Sequence, residues 1–176
     1  MNQAIMLIDV GFNACGVVIV RGGKIAQTHT IKCDKSHKKR GVRVSDADVE
    51  HCAFLARELK RIGDLYEISG VIAEMPHGGS LSSRAASCMG MAKAAVAAFC
   101  ELGGLPGEWV TPVQSKLAAT GSKTASKAEV ENAVRSFFKY EDSLTEHEAD
   151  AMAAYIAAKD GTLVRLLEGA RRLPVA

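Results

Sequence analysis

Three acidic residues and a histidine occupy positions from which they could bind metal ions. Asp9 follows an apolar run at residues 4–8, Glu74 follows a second run at 70–73, and His147 and Asp150 lie near the start of a predicted late helix. A carboxylate beside a buried strand is costly unless a cation or backbone N–H groups compensate its charge. Oxygen-rich clusters suit Mg²⁺ or Mn²⁺. Two such ions about 4 Å apart can activate water and stabilise the leaving oxygen in phosphodiester hydrolysis.

Each of these signals has a simpler explanation when it is taken alone. Asp9 with Gly11 is equally typical of a turn at a strand end. His147, Glu148 and Asp150 would complement the positive end of a helix dipole. The chemical interpretation therefore rests on the combination of acids at two strand ends with an acid and a histidine at one helix start.

The apolar pattern predicts the strands that carry the first two acids. Strands are predicted at residues 4–8, 15–20, 25–31, 70–73 and 108–110. The uninterrupted apolar run of the first predicts burial on both faces. A hairpin signal at Gly22-Gly23 joins the second strand to the third, so the first three strands should form an antiparallel meander.

Helical spacing and capping signals predict the remaining elements. Helices are predicted at residues 45–62, 80–102, 112–119, 126–140, 145–159 and 162–172. Ser45 with Asp48, and Thr145 with Glu148, resemble capping boxes at two helix starts. One apolar stripe on the first helix is predicted from Val49, Cys52, Ala53, Ala56 and Leu59. The helix at 80–102 is rich in small residues, which suits either core packing or a subunit contact.

The composition is that of an ordinary globular protein, with 48% hydrophobic and 24% charged residues. A length of 176 residues predicts a single domain over 1–176. No apolar run is long enough to predict a membrane span, and no secretory signal is recognised. The five cysteines are scattered without a Cys-x-x-Cys pair, so neither a zinc site nor a disulfide framework is predicted. A reducing compartment, the cytoplasm, is the expected location.

Positive charge is concentrated in one segment although the net charge is only +2. The segment at 32–43 contains six basic residues and one acid, Asp34; the basic residues are Lys32, Lys35, Lys38, Lys39, Arg40 and Arg43. Such a run is either a solvated loop or a loop that contacts phosphates.

Taken together, these segments resemble the motifs of the RuvC-type Holliday-junction resolvases, a family of the ribonuclease-H-like superfamily. The resemblance covers residues 5–159 and rests on five segments: Leu7-Ile8-Asp9-Val10-Gly11, Val71-Ile72-Ala73-Glu74, Val113-Gln114-Ser115-Lys116, Gly121-Ser122-Lys123-Thr124-Ala125-Ser126-Lys127 and His147-Glu148-Ala149-Asp150-Ala151. Asp9, Glu74, His147 and Asp150 match the family's catalytic positions. Lys116 and Lys127 match its two lysine positions.

The resemblance implies an α/β, ribonuclease-H-like fold: a five-stranded mixed sheet with three antiparallel strands and helices on both faces. It implies a metal-dependent, structure-selective endonuclease that cleaves four-way junctions and other branched DNA. Two Mg²⁺ ions per active site, replaceable by Mn²⁺, would be bound by Asp9, Glu74, Asp150 and His147, with Asp9 bridging them. His147 would act as ligand or as the base that positions water. Lys116 and Lys127 would steady the phosphate in the transition state.

The resemblance also implies partners. A four-way junction has near two-fold symmetry, so a homodimer would place two active sites on opposed strands, and the small-residue face of the helix at 80–102 is the expected contact. The expected DNA contacts are the basic residues named above, Lys32, Lys35, Lys38, Lys39, Arg40 and Arg43, together with His77, Arg84 and Lys123. No membrane is expected, and a phage-encoded relative would act in the host cytoplasm.

Two features depart from the family pattern. The loop after the second acid, Met75-Pro76-His77-Gly78-Gly79-Ser80-Leu81, has no Phe or Tyr that could serve as a wedge in the junction. Met75, His77 or Leu81 would have to take that part. The basic segment is longer than is usual in the family, which suggests a broader grip on nucleic acid, as in phage-encoded relatives.

Three other functions could account for some of the same sequence motifs. Phosphotransferases of the actin and sugar-kinase type also begin with a strand and Asp-x-Gly, but they need two such domains to enclose a nucleotide. A related nuclease could act on RNA with the same site. A non-catalytic nucleic-acid-binding domain would retain the basic segment and leave the four metal-competent residues unexplained.

Overall fold

A five-stranded mixed sheet forms the centre of the fold in the computed structural model, which describes residues 3–33, 42–77 and 82–169. Its strands are β1 (Ala4–Asp9), β2 (Ala14–Arg21), β3 (Lys24–Lys32), β4 (Ile68–Glu74) and β5 (Gly107–Val110). The strand order is β3-β2-β1-β4-β5. β1, β2 and β3 form the antiparallel meander, whereas β4 pairs parallel with β1 and β5 parallel with β4. The predicted mixed sheet is confirmed.

Helices cover both faces of the sheet, as predicted. They are α1 (Val44–Tyr66), α2 (Ser83–Leu102), α3 (Pro112–Thr120), α4 (Lys127–Phe138), α5 (Glu146–Ala158) and α6 (Thr162–Gly169). On one face, Met6 and Ile8 of β1 pack in a cluster with residues of α1 and α2. On the other face, Leu7 packs with residues of α4, α5 and α6. β1 is apolar from Ala4 to Ile8 because its alternate side chains enter two different cores.

The first helix differs from its prediction at its start. α1 begins at Val44 after an N-cap at Arg43 that forms no side-chain capping bond, so the predicted capping box of Ser45 and Asp48 is wrong. Arg43 instead pairs with Asp46 in the first turn. Asp48 pairs with Arg84 on α2, because the two helices lie side by side and their charges meet there.

The predicted apolar stripe of α1 is only partly a core face. Leu55, Leu59 and Ile62 are buried against the sheet, whereas Val49 is 60% exposed. Most of the predicted stripe borders an open groove between α1 and α2 instead. Helical spacing gives two overlapping apolar faces here, and the larger side chains face the sheet because they fill its core better.

α2 is an apolar helix that the rest of the molecule covers only in part. Its most apolar window has a mean hydropathy of 1.3, and 22% of that window is buried. Within the described ranges it is the one helix long and apolar enough to cross a membrane by length and composition. That is weak evidence for a span, because core helices of soluble proteins have the same properties.

The start of α5 rests directly on β2 at Gly16. A methyl group added at Gly16 would overlap the carbonyl group of His147 and the amide nitrogen of Glu148. Only glycine allows this approach, since any other residue carries a Cβ atom. The contact fixes the height of α5 above the sheet and therefore the position of its first turn.

We expect Gly16→Ala to destabilise the protein, because α5 must move away from β2 to admit the methyl group. Overpacking of this kind costs about 2 kcal/mol, so Tm should fall by roughly 5 °C in a thermal melt. Gly90→Ala is the control, because Gly90 is an exposed helical position with open space where the added Cβ would lie. A Tm of Gly16→Ala equal to that of the wild type would contradict the close contact.

Candidate active site

The two strand-end acids lie side by side at one edge of the central strands. Asp9 of β1 and Glu74 of β4 are partners in the parallel register, and the amide of Val10 donates to the carbonyl oxygen of Glu74 at 3.1 Å. Leu7 and Ile72, two residues earlier on each strand, belong to the core beneath α5. Because side chains alternate along a strand, Asp9 and Glu74 also face α5. The parallel pairing of β1 with β4 thus brings together residues that are 65 positions apart in sequence (74 − 9).

The first turn of α5 brings the histidine and the third acid to the same place. His147 Nδ1 lies 2.7 Å from Asp9 Oδ2. Asp150 acts electrostatically on Glu74 and responds to the charge of Asp9, so it lies in the same cleft. The Asp9 side chain is mostly buried, and that of His147 is about two-fifths exposed.

A hydrogen-bond network holds this first turn in position. The predicted capping box is present: the Thr145 hydroxyl accepts from the Glu148 amide, and Glu148 Oε2 accepts from the Thr145 amide at 2.8 Å. Glu148 Oε1 accepts from the Thr30 hydroxyl of β3 at 2.9 Å. The buried Glu148 therefore attaches the helix start to the sheet, which sets the direction of the neighbouring His147 side chain.

Burial gives the acids of this cleft unusual proton affinities. It raises the pKa of the Glu74 carboxyl to about 7, and the charges of Asp9 and Asp150 add to the rise. Burial likewise raises the pKa of Asp150 to about 6, with Asp9 acting in the same direction. The charge of Lys116 lowers both pKa values, so this lysine lies near both carboxyls. The hydrogen bond with Asp9 raises the pKa of His147.

The second predicted lysine is more peripheral. Lys127, at the start of α4, has a side chain that is 73% exposed and forms an ion pair with Glu146 at the start of α5. Its pKa is raised, first by the bond to Glu146 and in smaller part by the charge of Asp150. Lys116 and Lys127 thus approach the acids at different depths, with Lys127 at the rim of the cleft.

The residues predicted to contact DNA fall into three groups. Lys32, His77 and Lys123 are exposed. Arg43 and Arg84 are exposed but form ion pairs on α1 and α2, with Asp46 and Asp48 respectively. Four predictions lie outside the described residues: Lys35, Lys38, Lys39 and Arg40.

Several residues of the site were not singled out by sequence reasoning. Gly16, Glu146 and Thr30 act through contacts with residues far away in the chain, which no local pattern encodes. Ser115, beside Glu74, was noted only as a neighbour of Lys116. The Thr145 capping box was the one local signal that pointed to Glu148.

The four side chains of the cleft are of chemical types that bind a hard divalent cation, but their present positions do not form a binding site. Three carboxylates and an imidazole are ligands that Mg²⁺ and Mn²⁺ accept. Within the described part of the chain, no three His, Cys, Asp or Glu side chains are grouped closely enough to hold one ion. His147 Nδ1 instead forms a hydrogen bond with one oxygen of Asp9. By the chemistry of its donor groups, this set of residues therefore fits a divalent cation.

The raised pKa of Glu74 predicts how the stability of the metal-free protein depends on pH. The folded protein keeps a proton on Glu74 that the unfolded chain has already released, so this contribution to stability is lost as pH rises from 4.5 to about 7. In EDTA, wild-type Tm should therefore fall over this range. Glu74→Gln should reduce the fall and melt several degrees higher at pH 8.

Glu58→Gln is the matched control for Glu74→Gln, because Glu58 forms an exposed ion pair with Arg61 on α1. It should follow the wild-type dependence of Tm on pH, since surface pairs contribute little to stability. Equal pH dependence in Glu74→Gln and the wild type would show that the Glu74 carboxyl is not desolvated.

Comparison with known proteins gives a likeness of fold. No protein-family model matches the sequence, and no curated protein matches it. The structure of Thermus thermophilus RuvC in complex with a Holliday junction substrate matches with a TM-score of 0.72 at 20% sequence identity, over 88% of this chain and 92% of that one. A further Thermus thermophilus RuvC structure matches over the same shares at a TM-score of 0.68 and 20% identity. The fold is therefore RuvC-like, as the sequence motifs predicted.

Proposed function

We propose that this protein is a metal-dependent, structure-selective endonuclease that cleaves four-way DNA junctions and other branched DNA. One observation carries the proposal: Asp9, Glu74, His147 and Asp150 meet in one cleft beside Lys116. The RuvC-like fold supports it, since one structure of that fold holds a Holliday junction. We also propose that residues 1–176 act as one domain and work in the cytoplasm.

The acids and the histidine of the cleft would bind cations, and its lysine would bind phosphate. Asp9, Glu74 and Asp150 would hold two Mg²⁺ or Mn²⁺ ions, with His147 as a further ligand or as the base that positions water. When bound, these ions supply an activated water and stabilise the leaving oxygen. Lys116 reaches the cleft from α3 and offsets the negative charge of the acids, so a phosphate meets less repulsion there. The hydrogen bond with Asp9 raises the pKa of His147, which favours the protonated imidazole.

Positive charge around the cleft would guide DNA to it. Lys127 lies at the rim of the cleft, and Lys123 lies in the exposed loop before α4. His77 is the third residue after the end of β4. Arg43 and Arg84 form surface ion pairs, which are weak enough to be exchanged for phosphate contacts. Lys32, the first residue of the basic segment, is the last residue of β3.

Neutralising the basic segment tests whether it contacts phosphates. The triple variant Lys38→Gln, Lys39→Gln, Arg40→Gln should bind a junction more weakly and with a shallower dependence on salt. Each lost phosphate contact lowers the log–log slope by about 0.9 on duplex arms. Lys24→Gln is the control, because Lys24 is exposed and lies at the opposite end of the strands. An unchanged slope in the triple variant would make the segment a solvated loop.

The exposed apolar face between α1 and α2 is the proposed homodimer contact. The groove has a volume of about 1100 Å³ and is bordered by small and apolar side chains: Val49, Cys52, Ala53, Ala56, Met91, Ala94, Ala95, Ala98, Phe99 and Leu102. Leu102 is 89% exposed. Contiguous apolar surface of this kind is typical of an interaction site. A two-fold pair of such faces would leave one active site for each of two opposed strands.

The direct test is incubation of the protein with a labelled synthetic four-way junction, with and without Mg²⁺. We expect cleavage only with Mg²⁺ or Mn²⁺, paired incisions on opposed strands, and much slower cleavage of a linear duplex of the same sequence. An RNA–DNA hybrid and a single strand complete the panel. Equal cleavage of all substrates would contradict structure selectivity. Tight binding without cleavage in either metal would indicate a non-catalytic DNA-binding domain.

A further inference from the structure

A buried hydroxyl lies against the acid at the end of β4. Ser115 is 0% exposed, and Glu74 is 7% exposed. β5 ends at Val110, which pairs with Glu74, and α3 starts two residues later at Pro112. The fourth residue of that helix therefore returns to the side of Glu74.

The backbone that carries this hydroxyl is fixed on both sides. Thr111 and Gln114 form a complete capping box, and Pro112 occupies the first helical position. The Ser115 amide donates to the carbonyl oxygen of Thr111 at 3.0 Å. A first turn held in this way does not rotate freely, so the Ser115 side chain has few directions to point in.

The hydroxyl has no well-formed hydrogen bond, yet it acts on Glu74. Among the described residues, Ser115 Oγ has no partner at full hydrogen-bond geometry. It nevertheless lies close enough to Glu74 to lower the pKa of that carboxyl as a hydrogen-bond donor. The two observations describe a donor beside Glu74 that is poorly aligned with the carboxylate. Buried hydroxyl groups are almost always paired, so this one requires a partner.

We propose that Ser115 is a positioning residue for Glu74, donating its hydroxyl proton to the carboxylate and holding it in the orientation that binds the divalent cation. The inference rests on the proposed function. A carboxylate has two oxygens, so one can accept from Ser115 while the other serves a cation. Ligating carboxylates are generally oriented by such hydrogen bonds, and their loss weakens metal affinity by about 10- to 100-fold.

The alternative is that Ser115 is small only because α3 packs closely on α5. Two substitutions separate donor strength from size. Ser115→Ala removes the donor and leaves the space nearly unchanged. Ser115→Cys fills the space but supplies only a weak donor. Thr120→Ala is the control, because Thr120 is on the same helix and its hydroxyl donates to the Lys116 carbonyl oxygen at 2.8 Å, at the end away from Glu74.

The experiment measures Mn²⁺ binding to the DNA-free protein by calorimetry, together with the rise in Tm that Mn²⁺ produces. Ser115→Ala and Ser115→Cys should bind Mn²⁺ about tenfold or more weakly than the wild type, whereas Thr120→Ala should match the wild type. In cleavage assays, the Mn²⁺ concentration for half-maximal rate should rise in both Ser115 variants, and saturating Mn²⁺ should restore most of the rate.

Each of the other possible results of this experiment would refute one specific claim. Wild-type Mn²⁺ affinity in Ser115→Ala would refute the positioning role and leave the proposed nuclease intact. An equal loss in Thr120→Ala would refute it too, because the effect would then belong to the helix. If Ser115→Ala fails to fold, Ser115→Cys decides alone. A wild-type protein that binds no Mn²⁺ and cleaves no junction would refute the proposed function itself.

Discussion

Replacing Lys116 by glutamine should slow junction cleavage by about a hundredfold or more while changing junction affinity little. Lys116 is the lysine whose charge reaches both Glu74 and Asp150. In the proposed mechanism, a cation at this depth would meet the scissile phosphate where negative charge develops, and a single group with that role contributes about 10²- to 10³-fold to the rate. Junction affinity depends on many phosphate contacts, so the loss of one charge has a small effect on it.

The Lys116 substitution should also weaken cation binding, and this effect must be separated from the loss of phosphate contact. Without this charge, the pKa values of Glu74 and Asp150 rise further, so divalent cations bind less well at neutral pH. Single-turnover cleavage should therefore be measured in saturating Mn²⁺ and above pH 8, where both carboxyls are ionised. Lys24→Gln, at the opposite end of the strands from the cleft, is the charge-matched control. Wild-type cleavage by Lys116→Gln under these conditions would remove Lys116 from the mechanism.

Lys127 should behave differently, because its ion pair with Glu146 holds it at the rim of the cleft. The sequence assigns the two lysines equal roles, since both match positions of the family's lysine-bearing segment. The structure distinguishes them by depth. An exposed lysine that already has a carboxylate partner must exchange that partner for a phosphate, so its substitution should cost less rate than that of Lys116.

The positions of the acids could be predicted from sequence because they depend on local patterns. A run of apolar residues that ends in a carboxylate marks the end of a buried strand, and this held for Asp9 and Glu74. The Thr145 capping box located the start of α5 and hence His147 and Asp150. These four residues lie together because β1 pairs parallel with β4 and α5 packs on the same face of the sheet.

What could not be predicted depends on contacts between distant residues. The stripe on α1 has helical spacing whether it faces the sheet or a groove, so spacing alone could not identify the core face. Ser115 and Gly16 are ordinary small residues in the sequence, and they matter because of what lies within a few ångströms of them. The capping box of Ser45 and Asp48 did not form because α1 starts at Val44, which places Ser45 inside the helix. Asp48 pairs instead with Arg84 of α2, a contact that no local pattern encodes.

Asp9→Asn should separate junction binding from cleavage more sharply than any other single change. The amide keeps the shape of the side chain and can still form a hydrogen bond with His147, which lies 2.7 Å from Asp9 Oδ2. Removing one negative charge lessens the repulsion that raises the pKa values of Glu74 and Asp150. The variant should therefore fold and bind a four-way junction at least as well as the wild type.

Cleavage by Asp9→Asn should fall by several orders of magnitude, because the carboxylate proposed to serve both cations is lost and water activation fails together with stabilisation of the leaving oxygen. The pKa of His147 should also fall towards its ordinary value, since the bond to a charged Asp9 is what raises it. Gel-shift affinity and single-turnover cleavage on one junction, with the His147 pKa followed by NMR, test all three expectations. Near-normal cleavage in Mg²⁺ would exclude the mechanism. Joint loss of binding and cleavage in a folded variant would instead show that the cations are needed to hold the DNA.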